Sequence, residues 1–159
     1  MPFLQVTPVV NHKVRALCSS PYPNHPKGCP NVGKRDLCPP RAKLIGTVLD
    51  LSQPVWAIYN AFPFGDHVDK MRALHPKWSQ RQVECCLYWQ GTARKQLKAE
   101  ILAFLKRHPG LEVITCPEAC GVDLTATMQD VGIALEWPPR TVAYQIALAG
   151  LKISSPQTY

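Results

Sequence analysis

The sequence contains no long apolar segment, and its charged residues make up only 18% of the chain. A membrane-spanning helix needs about 18 or more consecutive apolar residues, whereas the best candidate, residues 142–151, is interrupted by Gln145. The N-terminal segment MPFLQVTPVV has neither the basic region nor the small-residue cleavage site of a secretory signal. These absences argue against a secreted or membrane-spanning protein, and we expect a cytoplasmic one.

The common catalytic signatures are absent as well. The chain has no G-x-S-x-G, no P-loop G-x4-G-K-[ST], no H-E-x-x-H and no G-x-G-x-x-G. None of the reaction classes that these motifs mark is therefore indicated. Whether the protein is an enzyme stays open at this point.

What the chain does have is enough apolar material for one folded unit. Its 159 residues are 46% hydrophobic, which predicts a single domain over residues 1–159 and excludes wholesale disorder. Strand and helix patterns are mixed without strict alternation, so we predict an α+β fold, with α/β as the alternative.

The hydrophobic periodicity predicts a small mixed sheet and one long helix. The long helix is predicted at 79–108, where Ser79 and Gln82 form a capping-box pattern. On it, Val83, Cys86 and Leu87 are predicted to lie on the buried face. Shorter helices are predicted at 66–74 and 123–131, and strands at 6–10, 14–17, 44–51, 55–62, 111–115, 133–137 and 142–153.

Residues 18–43 differ from the rest of the chain. This segment has six prolines, two glycines and three cysteines in 26 positions. Proline removes amide donors and fixes φ, so neither a helix nor a central strand can run through it. Because a loop of this length is uncommon in a compact domain unless something holds it, we predict a metal-binding loop whose cysteines fasten it.

The seven cysteines favour thiolate chemistry over disulfides. Their odd number cannot pair fully within one chain, and a reducing compartment keeps thiols free or bound to metal. Thiolates select iron–sulfur clusters, zinc or Cu(I). Proline directly follows Cys29, Cys38 and Cys116, as in the bacterial ferredoxin run that ends in Cys-Pro.

An iron–sulfur cluster, with 4Fe–4S preferred, is thus the predicted cofactor, and zinc is the alternative. The three loop cysteines are candidate ligands, with Cys116 and Cys120 downstream and His25 as a possible nitrogen ligand, so the candidate metal set is Cys18, Cys29, Cys38, Cys116 and Cys120. The paired C-x2–4-C knuckles of zinc ribbons are missing apart from the Cys116/Cys120 spacing.

Three segments also resemble a known family. The stretches GCPNVGKRDLCPP, CPEACGVDLTATM and LEWPPRTVAYQIALAGL are similar to those of an uncharacterised family of predicted metal-binding proteins, a domain of unknown function in bacteria and archaea. The likeness runs from about Cys18 to Leu151. It implies metal binding, with an iron–sulfur cluster held by Cys18, Cys29, Cys38 and Cys116, and no established reaction.

The function classes that remain differ in what the metal does. The first is an electron-transfer or accessory iron–sulfur protein, which would have a redox partner. The second is an enzyme with an open iron, acting on a small molecule or nucleic acid, in which Glu118 and Asp123 are candidate acid–base groups. The third is a zinc-stabilised interaction or nucleic-acid-binding module.

Positive charge is concentrated around the cysteine loop. The formal net charge is +7, and five cations (Lys27, Lys34, Arg35, Arg41 and Lys43) accompany a single acid in the loop, Asp36. Cations near a cluster with four thiolates stabilise its negative charge. A nucleic-acid surface with stacking aromatic residues is a less favoured interpretation of the same charge.

Overall fold

The computed structural model describes residues 2–22 and 25–154 of the protein, so two positions of the predicted cysteine loop, 23 and 24, lie outside the described residues. The fold is α+β, as predicted. Within the described ranges, no helix is both long and apolar enough to cross a membrane. The strands are β1 (Phe3–Val6), β2 (Val55–Phe62), β3 (Glu112–Ile114) and β4 (Ala143–Gly150), and the helices are α1 (Phe64–Leu74), α2 (Gln80–Val83), α3 (Gln90–Arg107) and α4 (Leu124–Gln129).

The four strands form one sheet in the order β1-β2-β4-β3. Every neighbouring pair is antiparallel, so the sheet is not the mixed one that the sequence predicted. The longest pairing joins β2 and β4, from Trp56 opposite Ala149 to Phe62 opposite Ala143. These two strands are the centre of the sheet, and side chains alternate between its two faces.

Each face of the sheet has its own hydrophobic cluster. On one face, Ala57 of β2 and Leu148 of β4 are fully buried with Met128 of α4. The other face lies against α3, where Ile58 and Ala149 pack around Phe104. Small side chains on β4 let the helix approach the strand closely.

The long helix predicted over 79–108 is interrupted. The capping box of Ser79 and Gln82 is present and starts α2, but a 3-10 turn follows at Cys86–Tyr88 before α3 begins. Val83 and Trp89 are both buried. In one continuous helix, the six-residue separation would place their side chains about 240° apart around the helix axis, on different faces. Breaking the helix lets both side chains face the core.

That break also changes the predicted buried face. Leu87 is 84% exposed, so its assignment to the core was wrong, whereas Val83 is buried and Cys86 packs against the same cluster as Trp89. The helix ends at Arg107, next to the His108-Pro109-Gly110 stop.

Four predicted strands are not strands. The first strand, β1, ends at Val6, so the segment predicted as a strand at 6–10 lies almost entirely beyond it. The segment 14–17 lies within a 3-10 turn, His12–Ser19, and 44–51 contains another at Ile45–Thr47. Ile45 and Leu49 are both fully buried, and the Leu49 amide donates to the Ile45 carbonyl at 2.9 Å. Their four-residue separation therefore reflects a helical turn and not a pleat. The segment 133–137 has no regular structure.

We expect Phe104→Ala to destabilise the protein by about 3–5 kcal/mol. Phe104 is 1% exposed, and its ring contacts those of Phe3, Trp56 and His108. Urea unfolding followed by far-ultraviolet circular dichroism measures the change. Leu102→Ala on the same helix is the control, because Leu102 is 55% exposed. Equal effects of the two substitutions would contradict this packing.

Candidate metal centre and adjoining cavity

Two hydrogen bonds tie the N-terminal segment to the segment that carries Cys116. The Asn11 amide donates to the Gly121 carbonyl and the Asp123 amide donates to the Val9 carbonyl, both at 2.8 Å. Gly121 has φ +86°, and a Cβ there would lie 2.9 Å from the His12 ring. The positive φ favours glycine at this position, and the turn that it makes brings two distant parts of the chain together.

A second glycine brings the cysteine loop back to Cys18. Gly28 has φ +82°, and a Cβ on it would lie 2.7 Å from the backbone carbon of Ser19. The next amide, that of Cys29, donates to the Cys18 carbonyl at 2.8 Å. The first two cysteines of the loop are thus neighbours in space although ten residues separate them in the sequence.

The far end of the loop is held by Arg15. Its guanidinium donates to the carbonyl oxygens of Ala42 at 2.8 Å and Pro40 at 3.3 Å. The Ala42 amide donates in turn to the Cys38 carbonyl at 2.8 Å, and the Cys38 thiol donates to the Asn31 carbonyl at 3.2 Å. The loop is therefore fastened mainly through its backbone.

Together these connections bring Cys29, Cys38 and Cys116 towards Cys18. Burial raises the pKa of the Cys18 thiol, and the nearby Cys29, Glu118, Cys38 and Cys116 groups raise it further. Cys18, Cys29 and Cys38 are half-buried, and Cys116 is exposed. Each of the other three thiols is thus near enough to Cys18 to act on it electrostatically. Across residues 2–22 and 25–154, however, no three His, Cys, Asp or Glu side chains are arranged as a set that could hold a metal ion.

The remaining candidate ligands have different surroundings. Cys120 is 9% exposed and belongs to the main hydrophobic cluster. Burial and Cys116 raise the pKa of its thiol, while Arg15 opposes that rise. His25 stacks on the ring of Tyr22 at a centroid distance of 4.4 Å.

A cavity of about 560 Å³ adjoins the thiols. Cys18, Cys29 and Cys116 form part of its wall, and the start of α3, β4 and residues 135–139 form much of the rest. The cavity was not predicted from the sequence. Two of its aromatic residues, Trp89 and Trp137, are among the candidate stacking residues of the sequence, but only the folded chain shows that they and the cysteines surround the same space.

Glu118 and Asp123, the predicted acid–base candidates, have different roles in the structure. Asp123 caps α4, accepting a hydrogen bond from the Ala126 amide at 3.0 Å. Glu118 lines the cavity, and the surrounding protein together with Asp123 raises the pKa of its carboxyl. Glu118 is an exposed residue, and it borders the open space of the cavity.

Another acidic residue at the cavity fixes the loop before β4. Glu136 Oε2 accepts hydrogen bonds from the amides of Arg140 at 2.8 Å, Thr141 at 2.6 Å and Val142 at 3.3 Å. The bonds from Thr141 and Arg140 lower the pKa of the Glu136 carboxyl. They also close the loop that carries the neighbouring Trp137.

Comparison with known proteins does not place the chain in a family. No family model, no curated protein and no solved structure matches it. The resemblance to predicted metal-binding proteins therefore stays a prediction.

Gly28→Ala is expected to destabilise the protein more than Gly33→Ala does. Both glycines have positive φ, so both substitutions strain the backbone, but the nearest atom to a Cβ at Gly33 is 3.9 Å away. The clash at Gly28 is with backbone atoms and adds about 1–3 kcal/mol. Urea unfolding of the two variants measures the difference, and equal stabilities would argue against the Gly28–Ser19 contact.

Glu136→Gln is expected to lower the melting temperature at pH 7 and to have less effect in acid. A carboxyl whose folded pKa is lowered stabilises the protein above its unfolded pKa, about 4.3. That contribution disappears as the pH falls through the folded pKa. The melting temperatures of the variant and of the native protein should therefore begin to converge as the pH falls below about 4.3 and should meet below the folded pKa.

The control is Asp69→Asn, which removes an exposed carboxylate on α1. The loss of melting temperature in Glu136→Gln could instead stay constant from pH 7 to pH 3.5, as a packing defect that does not depend on pH would. That result would contradict the assigned hydrogen bonds.

Proposed function

We propose that this protein binds an iron–sulfur cluster through Cys18, Cys29, Cys38 and Cys116 and serves in electron transfer or as an accessory subunit. The observation that carries the proposal is that Cys18 and Cys29 of the cysteine loop share one cavity wall with Cys116, a residue far downstream. Cys38 is near enough to Cys18 to raise the pKa of its thiol. A cluster at this place would also fasten the proline-rich loop, which is otherwise held mainly by backbone hydrogen bonds.

The donor set suits iron and sulfide chemically. Four thiolates are the usual ligands of a 4Fe–4S cluster. If these thiols were ionised together without a metal, their negative charges would repel one another. The rise that Cys29, Cys38 and Cys116 cause in the pKa of Cys18 has this origin. The exposed cations of the loop, Lys27, Lys34 and Arg35 among them, would stabilise the negative charge of a cluster with four thiolates.

An open-iron enzyme is the second candidate, and the cavity favours it. Cys18, Cys29 and Cys116 line the cavity, whereas the thiol of Cys38 is hydrogen-bonded to the Asn31 carbonyl. If three cysteines held the cluster, the fourth iron would face a space large enough for a small molecule. That iron would act on a substrate as a Lewis acid.

Oxygen-free purification with metal and sulfide analysis tests the proposal. We expect a brown protein with about four iron and four acid-labile sulfide atoms per chain. Cys38→Ser should lose most of this iron and lower the melting temperature by about 5 °C or more, since each kcal/mol lost lowers Tm by about 2–4 °C at this chain length. Serine keeps the size of the side chain and removes the soft ligand.

Cys85→Ser is the matched control, because Cys85 is a half-buried thiol on the turn before α3, and it should retain iron and sulfide. A colourless protein with one zinc per chain would replace the proposal with the zinc alternative. A protein with neither metal, or a Cys38→Ser variant that keeps full iron content, would refute the four-cysteine assignment.

A further inference from the structure

The cavity extends well beyond the three cysteines in its wall. Its volume of about 560 Å³ falls within the range of about 300–1,000 Å³ typical of sites for small organic ligands. β4 contributes Tyr144, Gln145 and Ile146, and the start of α3 contributes Gln90 and Arg94. These residues have no part in holding a cluster, so this portion of the cavity requires its own explanation.

Aromatic rings at the cavity are either rigidly held or unusually exposed. Trp89 is 9% exposed, stacks on Phe62 at 5.4 Å and donates its indole N–H to the Glu84 carbonyl. Trp137, in contrast, is 77% exposed and lies 6.4 Å from the ring of Tyr22. An exposed indole beside a cavity presents a flat face on which a planar ligand can stack.

The aromatic portion lies next to the thiols. Burial raises the pKa of the Tyr22 hydroxyl, and Cys29, Cys86 and Cys18 contribute to that rise. Tyr22 therefore lies near both the cysteines and Trp137, so a ring stacked at Trp137 would be close to the proposed cluster.

The polar side chains suit a ring edge and an anion. Thr115 and Thr125 carry hydroxyl groups, and Arg94 is the cation among the lining residues. Gln90 and Gln145 carry amide groups whose Oε1 atoms already accept hydrogen bonds from Arg94 and Asn60. Of the two acids in the wall, Glu136 is engaged by three backbone amides. Gln145 is oriented by a hydrogen bond of 3.1 Å from the Asn60 side chain.

We propose that this cavity binds a mononucleotide-like ligand, a planar heteroaromatic ring joined to an anionic group. Trp137 stacks on the ring, and Arg94 pairs with the anion. This inference rests on the proposed function in one respect, namely that the group next to the ligand is an iron–sulfur cluster. It adds the class of molecule that would bind beside that cluster.

Isothermal titration of the protein as purified tests the inference, with adenosine 5′-monophosphate, adenosine and inorganic phosphate as probes. We expect saturable binding of the nucleotide with a Kd below ~1 mM, weaker binding of adenosine, and none of phosphate alone. In iron-loaded protein the nucleotide should also change the visible spectrum or the electron paramagnetic resonance signal of the reduced cluster.

Two variants with matched controls separate the roles. Arg94→Ala should weaken nucleotide binding about tenfold and leave adenosine binding nearly unchanged, because it removes a charge-assisted contact. Trp137→Ala should weaken both ligands about fivefold or more through lost stacking. The controls are Lys95→Ala and Leu87→Ala, which change exposed residues outside the cavity wall, and all four variants should keep the iron content of the native protein.

The outcomes distinguish this inference from the proposed function. Iron-loaded protein that fails to bind the nucleotide overturns the ligand assignment alone, whereas nucleotide binding by an iron-free protein supports the cavity and overturns the cluster. Native affinity in Arg94→Ala and Trp137→Ala, or phosphate binding equal to that of the nucleotide, overturns the assigned roles. An unchanged cluster signal on saturation overturns the placement beside the thiols.

Discussion

The position of the thiols depends on two turns made by glycines with positive φ, Gly28 and Gly121. At Gly28 the cysteine loop touches the backbone of Cys18 and Ser19, where a Cβ has no room. At Gly121 the downstream segment contacts the His12 side chain, and the Asn11 amide donates to the Gly121 carbonyl. Because the 3-10 turn His12–Ser19 takes part in both contacts, it is the common support for cysteines that are nearly a hundred residues apart.

This arrangement explains how a loop with little apolar side-chain material is ordered. Residues 18–43 supply one buried hydrophobic side chain, Ala42, among those the structure describes. Arg15 compensates by donating to carbonyl oxygens near the loop's end. Backbone hydrogen bonds of this kind contribute only about 0.5–1.5 kcal/mol each, so a metal that joins the thiols would add the largest single stabilisation available to the loop.

The sequence was most informative where local signals and burial agree. Val55–Phe62 was predicted as a strand with the same bounds that the structure has, because its β-branched and aromatic residues suit a buried central strand. The capping box at Ser79 was also recognisable. The candidate ligands Cys18, Cys29, Cys38 and Cys116 were chosen by residue type and by the proline that follows three of them.

Other features could not be predicted because they depend on contacts between distant residues. The apolar segment around Ile45 and Leu49 satisfies a strand pattern as well as a helical turn, and only its packing against the sheet decides between them. Likewise, the end of α2 follows from the need to bury both Val83 and Trp89. The cavity is a product of tertiary structure, since its wall combines residues from four separate parts of the chain.

The aromatic residues bear on the nucleic-acid interpretation. Trp89 packs against Phe62 and Phe64, and Trp78 stacks on His75 at 3.8 Å. Their rings therefore serve packing within the protein, while Trp137 is the tryptophan that the described residues leave largely exposed. A single exposed indole beside a cavity suits one small planar ligand better than a single strand, which requires successive stacking platforms along a basic groove. The proposed cluster would then account for the positive charge of the loop, and the proposed ligand for Arg94.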